Sequence, residues 1–368
     1  MESGDIFDEI ESRIRYFTEE CDVLQGFHLL FDAHNAFSGL SLGTLHYLRE
    51  EYFKKSFLVF PLLPVVTETQ SNSVKHLFSQ TLGSLSDVDM ESGYVIPLSV
   101  MESFDSSAVK FRQFPHLQYK PDLWYHSSAI ISSCLDCFTT SYRIKHDPEP
   151  LSELLARLRV NSRRFGLGLL ELPLDLRSNE SLAEWLSQSI SSRHLPLTSL
   201  TPFTSSPKSR AKPPVASASS HQADYSSISL RGLTPFSLWN HRKELPNNFP
   251  SSWRESSSCA ELVCHFCLAE RKNASVTSCS QPCFTKPPFP NLFEATVTKC
   301  GLIDDPSGIS NSDGHYVESV PTMSAIESSS EVGNMLKRLS QSFSAHSGLS
   351  KDTDSELFNK LLTLSESY

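Results

Sequence analysis

The chain has 368 residues, of which 39% are hydrophobic and 20% charged, and its formal net charge is −10. So few charges rule out a disordered polyelectrolyte, and 14 glycines rule out collagen-like or glycine-repeat architectures. A negative field repels phosphate backbones, so nucleic acid is not an expected partner.

The elements follow in chain order. Ile6, Phe7, Ile10, Ile14 and Phe17 recur at spacings of three and four, which predicts a helix from the first turn of the chain. The acidic start MESGDIFDEIE has neither a basic nor an apolar leader region, so cytosol is the expected compartment. GFHLLFD, Gly26 to Asp32, reads as a strand, DAHNAFSG as a loop, and 41 to 52 as a helix with Ser38 or Ser41 as its N-cap. Phe57 to Phe60 is a buried strand. The apolar run around it, Phe57 to Val66, contains two prolines and is shorter than the ~20 residues of a membrane span. A helix over Asn72 to Leu82 and a strand over Tyr94 to Leu98 continue the alternation, which is that of a doubly wound α/β sheet needing further strands upstream. Leu123 to Thr139 is a helix with apolar and small residues on nearly every face, hence one buried on several sides.

Beyond Pro150 the expected elements are a helix at 151–160, strands at Arg164–Leu172 and Ser227–Leu233, and a helix at Cys259–Ala269. A strand at Val317–Pro321 and helices at Glu331–Phe343 and Glu356–Ser365 complete the series. Thr198 to Asp224, rich in Ser, Pro and Lys, reads as a disordered loop, and Lys299 to Gly314 as a polar loop. The odd count of nine cysteines argues for free thiols. Cys134 and Cys137 sit on the buried helix and read as packing, while Cys264, Cys267, Cys279 and Cys283 have a spacing that could hold tetrahedral zinc. Arg157, Arg159, Arg163 and Arg164 read as cations complementing a helix C-terminus, with acidic lipid or protein contact as the alternative. No HExxH pattern is present, and no hydrolase is expected.

LQGFHLLFDAHNAFSGLSLGTLHYLREEY, Leu24 to Tyr52, resembles the tubulin segment that runs through the phosphate loop into the next helix. The closer resemblance is to the Misato/DML1 family of tubulin-like proteins. It is carried by Asp32, His34, Ala36, Phe37, Ser38 and Gly39, by FPHLQY, HSSAIISSCLDCFTTSYR, ISLRGL, PPFPNLF and VESVP, and by the C-terminal ELFNKLLTLSESY. The resemblance implies a tubulin/FtsZ-like α/β fold in an N-terminally incomplete form. A partial Rossmann-type sheet and core helix would occupy 1–145, a second mixed α/β domain 146–345, and a C-terminal helix 346–368. It also implies a role in mitochondrial distribution, morphology and inheritance, at the outer membrane peripherally and in the cytoplasm, with protein partners at the mitochondrial surface that include tubulin-like or cytoskeletal proteins.

Tubulin's phosphate loop needs consecutive glycines so that backbone N–H groups can approach the anion. Here only Ser38 and Gly39 remain of it, Asp32 adds negative charge and Phe37 adds bulk. His126 and Ser128 stand where tubulin offers an asparagine to guanine. Asp147, Glu149 and Glu153 are the carboxylates nearest its hydrolysis motif. The expectation is therefore a scaffold that is not an enzyme and has no cofactor, with Ser38 and Gly39 as a degenerate remnant of a GTP site. The alternatives are a GTPase in a longer form and a zinc-stabilised interaction module.

Overall fold

The computed structural model describes residues 3–65, 71–88, 93–105, 108–145, 147–189, 195–205, 225–234, 237, 249–270, 273–304, 316–341 and 351–368. Helix α1 (Ser3–Glu19) precedes a parallel sheet of three strands, β1 (Gly26–Asp32), β2 (Ser56–Leu62) and β3 (Gly93–Val95), in the order β1-β2-β3. Helices α2 (Ala36–Glu51) and α3 (Ser71–Asp87) make the crossovers. Six of the seven β2 residues are buried, as a near-continuous apolar run requires of a parallel strand covered on both faces.

A hairpin, β4 (Met101–Asp105) and β5 (Ala108–Phe111), leads to α4 (Trp124–Phe138), the expected buried helix, and the short α5 (Thr140–Arg143). After α6 (Leu151–Leu158) the chain builds a second sheet from β6 (Leu167–Glu171), β7 (Thr198–Ser199), β8 (Tyr225–Arg231), β9 (Ala274–Cys279) and β12 (Thr322–Ser328). Its order is β7-β6-β12-β8-β9, and only β8 and β9 run parallel. Helix α7 (Leu182–Ser189) lies between β6 and β7, and α8 (Ser251–Arg254) and α9 (Cys259–Ala269) lie between β8 and β9. The pair β10 (Cys283–Phe284) and β11 (Ser319–Val320) is followed, after β12, by α10 (Glu331–Gln341) and α11 (Lys351–Glu366). The architecture is the expected tubulin-like α/β fold. The α7 helix and strands β4, β5, β9 and β12 escape sequence reading, because their short or serine-rich runs carry no clear period.

The two sheets are joined where Val95 bridges Phe165 and Gly166 N donates to Val95 O at 2.9 Å. Helix α4 packs across the second sheet, with Cys134 Sγ and Cys137 Sγ directed at the carbonyls of Leu169 and Ser229 at 3.8 and 3.3 Å. Gly168 makes this approach feasible, since a Cβ there would stand 2.7 Å from Leu98 Cδ2 and 3.1 Å from Phe138 Cζ.

Two apolar clusters form the core. One unites Phe57, Phe78 and Leu82 with Leu167, Met335 and Leu361, the other Leu58 and Tyr94 with Leu154, Leu170 and Val320. Both run through the boundary expected near residue 145. The expected disordered loop is ordered over its first eight residues: β7 and the following turn are buried, and Arg112, itself buried, donates to Thr201 O and Thr204 O at 2.7 and 2.8 Å. The remainder, 206–224, lies outside the described residues, as do 305–314 of the polar loop. The strand expected at 317–321 shrinks to β11, and the long strand begins after Pro321.

Candidate functional site

The connection between β1 and α2 stands at the carboxyl end of the parallel sheet, where α/β proteins place ligands. It is closed by its own hydrogen bonds. Asn35, in extended backbone, caps α2, its side-chain oxygen accepting from Phe37 N at 3.0 Å. Its amide donates to Asp32 Oδ2 at 3.1 Å, and its carbonyl accepts from Ser38 N at 3.0 Å and Ser38 Oγ at 2.8 Å. Thr81 Oγ1 donates to Ala33 O at 2.9 Å, fixing the turn to α3.

This corrects the expected cap. The helix starts at Ala36, not at 41, and neither Ser38 nor Ser41 is the cap. Asn35 wins because its amide bonds backward to Asp32 while its oxygen bonds forward, a two-sided grip that a serine hydroxyl one turn later cannot make. Ser38 and Gly39, the expected phosphate-loop remnant, therefore lie in the first turn of α2. The Ser38 hydroxyl is committed to Asn35, Gly39 is exposed, and Phe37 projects with 61% of its surface exposed.

Beside this turn is a cavity of about 300 Å³ that neither Ser38 nor Gly39 lines. Its walls are Leu30, Leu62, Leu63 and Val100 from the strand ends, and Trp124 and Ile131 from α4. Asp32 and His34 supply its ionisable groups, and no lysine or arginine is among the described lining residues. Burial lowers the pKa of His34, and Asp32 opposes that shift, while the buried His34 Nδ1 has no hydrogen-bond partner. An apolar wall with one carboxylate and an imidazole suits an apolar group carrying a donor. A polyphosphate would meet Asp32 without a compensating cation.

The other expected residues are dispersed. Ser128 lines the cavity, but His126 accepts from Lys120 N at 3.1 Å through Nδ1 and so closes the turn before α4. Glu149 and Glu153 pair with Arg157 at 2.9 and 3.5 Å, and burial, ahead of that pairing, raises the Glu149 pKa. Asp147 holds a left-handed backbone with φ 52°. The arginines after α6 do more than complement a helix end. Arg163 donates to Ser367 O and Tyr368 O at 3.3 and 2.6 Å, and Arg164 to Val88 O at 3.4 Å.

The four cysteines with zinc-like spacing are not brought together. Cys267 packs in the first apolar cluster and Cys283 in the second, Cys264 lies on α9, and Cys279 ends β9 at a separate polar cavity. Among the described residues no group of three or more His, Cys, Asp and Glu side chains is arranged for a metal ion. Cys134 and Cys137 are fully buried, and burial pushes the Cys137 thiol up to about 12. Among the described residues no helix is long and apolar enough to cross a membrane.

A family model described as a tubulin domain matches residues 4–144, which covers the three-stranded sheet and α4. Protein misato homolog 1 of Bos taurus and of Mus musculus are each 28% identical over 380 residues, covering 98% of this chain and 62% and 64% of their own lengths. Protein misato of Drosophila melanogaster is 27% identical over 381 residues, covering 98% of this chain and 63% of its own. The chain thus spans somewhat under two thirds of the length of these curated relatives. The tubulin-type sheet, its helix α4 and a similarity that runs from end to end of the chain make this protein similar throughout to the Misato family of tubulin-like proteins.

Proposed function

We propose that the chain acts in mitochondrial distribution, morphology and inheritance as a non-enzymatic tubulin-like scaffold that binds protein partners peripherally at the mitochondrial outer surface. The similarity to misato proteins supports the mitochondrial role. The non-enzymatic mechanism rests on the β1–α2 turn, where Asn35 takes up the N–H group of Phe37 and its carbonyl that of Ser38. In tubulin-type loops, such N–H groups face phosphate. The neighbouring cavity, with Asp32 and no cation among its described lining residues, points the same way.

The test has two arms. Titration of the chain with mant-GTP, followed by fluorescence, should give no saturable binding at micromolar nucleotide, and saturable binding would replace the scaffold with a nucleotide-controlled mechanism. Fractionation of tagged protein should recover it with mitochondria in a salt-extractable form, and depletion should alter mitochondrial shape. Unchanged shape and purely soluble recovery would remove the mitochondrial role.

A further inference from the structure

We propose that a second cavity, at the carboxyl ends of the parallel strands β8 and β9, binds a phosphate group through Arg143 and Lys145 above a floor made by Arg231. The cavity measures about 480 Å³, and its lining includes Asp136, Arg143, Lys145, Arg231, Cys279 and Gln281. It stands at the strand ends where α/β sheets collect ligands, here formed by the one parallel pair of the second sheet.

The floor is built rather than incidental. Arg231 ends β8 with a side chain only 10% exposed, and it donates from Nε to Gln281 O at 3.2 Å and from Nη2 to Pro282 O at 3.3 Å. Its Nη1 pairs with Asp136 in the last turn of α4. The same carboxylate accepts from Arg143 Nη2 at 2.6 Å, while Arg143 Nε donates to Thr139 O at 3.3 Å. One carboxylate thus answers two guanidiniums, and Lys145 adds a third cation that meets no carboxylate among the described residues.

The lining carries a surplus of two positive charges, in a chain whose net charge is −10. Ser278 and Ser280 bring hydroxyl groups to the same wall, while the Thr140 hydroxyl donates to Asp136 O at 3.1 Å. A tetrahedral dianion balances that surplus, and a guanidinium beside an ammonium offers it directed donors and a point charge. A single carboxylate would leave one charge unanswered. The volume far exceeds that of a bare phosphate, so the group would be carried on a larger organic body, either a soluble phosphate ester or the headgroup of a phosphorylated lipid.

The experiment uses the full chain. In the first arm its thermal midpoint is followed with inorganic phosphate against chloride at equal ionic strength. In the second it is sedimented with phosphatidylcholine vesicles with and without a phosphatidylinositol bisphosphate. The variants are Arg143→Gln with Lys145→Gln, and Lys145→Glu alone, which disturbs no contact among the described residues. Circular dichroism checks their folding. Phosphate should raise the midpoint of the wild type, and apparent affinity should fall at least tenfold in the double variant. Binding in the first arm alone assigns a soluble ester, and binding confined to the phosphorylated vesicles and lost in both variants assigns the lipid headgroup. No effect beyond chloride or plain vesicles, or an equal effect in wild type and both variants, overturns the proposal.

Discussion

The hydroxyl of Tyr368 accepts from Phe165 N at 2.6 Å and donates to Phe165 O at 3.0 Å, so the last residue of the chain satisfies the backbone at the entrance to β6. It also accepts from Arg164 N at 3.1 Å, and the Arg163 guanidinium lies 5.1 Å from its ring centroid. Helix α11 is thereby stitched to the second sheet, and Leu361 is fully buried.

Tyr368→Phe should cost roughly 2 to 3 kcal/mol, because removing the hydroxyl leaves buried N–H groups unpaired. The midpoint of urea unfolding measures this. Gly333→Leu should loosen the same helix, since a Cβ at 333 would stand 2.9 Å from both Ser365 O and Tyr368 Cβ, and α11 would have to lift away. Hydrogen exchange in α11 reads that loss. Unchanged protection would mean that the α10–α11 contact is soft.

Arg112 makes a second, fully buried stitch. Burial lowers its pKa to about 10, with Glu102 opposing the shift, and its donors hold the 201–204 turn. Arg112→Met should destabilise by about 2 to 4 kcal/mol, since two buried carbonyls lose their partner. Equilibrium urea unfolding provides the measurement, and a change under about 1 kcal/mol would show that the turn finds other donors.

The cap assignment separates two residues six positions apart. Asn35→Ala should lower stability by about 1 kcal/mol, while Ser41→Ala should change it by less than about 0.5 kcal/mol. Chemical unfolding of the two variants side by side checks the order, and the reverse order would return the cap to the serine.

Two histidines give pH dependence of opposite sign. The hydrogen bond to Asp175 at 3.0 Å raises His116 above the ordinary 6.5 against its burial, with the Asp175, Glu294 and Glu171 charges assisting. A raised folded-state pKa makes its contribution complete below 6.5 and lost as pH climbs through the raised value. His28, which shares a hydrogen bond of 2.8 Å with Tyr142, is lowered by burial first and by Arg143 second, so its contribution is complete above 6.5 and lost as pH falls through the lowered value. Urea midpoints at about pH 5.5 and about pH 8 should show His116→Gln hurting more at the acid value. His28→Gln should hurt more at the alkaline one.

Much of the first sheet is legible from residue pattern alone. GFHLLFD becomes β1 with the expected bounds, CAELVCHFCLA becomes α9 likewise, and the many-faced apolar helix becomes α4 within one residue of each end. These runs carry their period within one element. The candidate site is less legible. Ser38 and Gly39 stand in the right motif but do not line the cavity, and Asp136 and Arg231 are nearly a hundred residues apart with nothing local to announce their pairing.

What the sequence by itself determined is the order of strands, loops and helices at the amino end, the burial of α4 and the resemblance to the Misato family. Those properties reside in periodicity and local motifs. Only the tertiary structure decided that Asn35 rather than a serine begins α2, that Cys267 and Cys283 lie in different apolar clusters, and that Arg231, Arg143 and Lys145 share a cavity. Each of these depends on which distant segments the sheets bring together. A side chain's partners across the fold are set by strand order and helix docking, which short-range spacing does not encode.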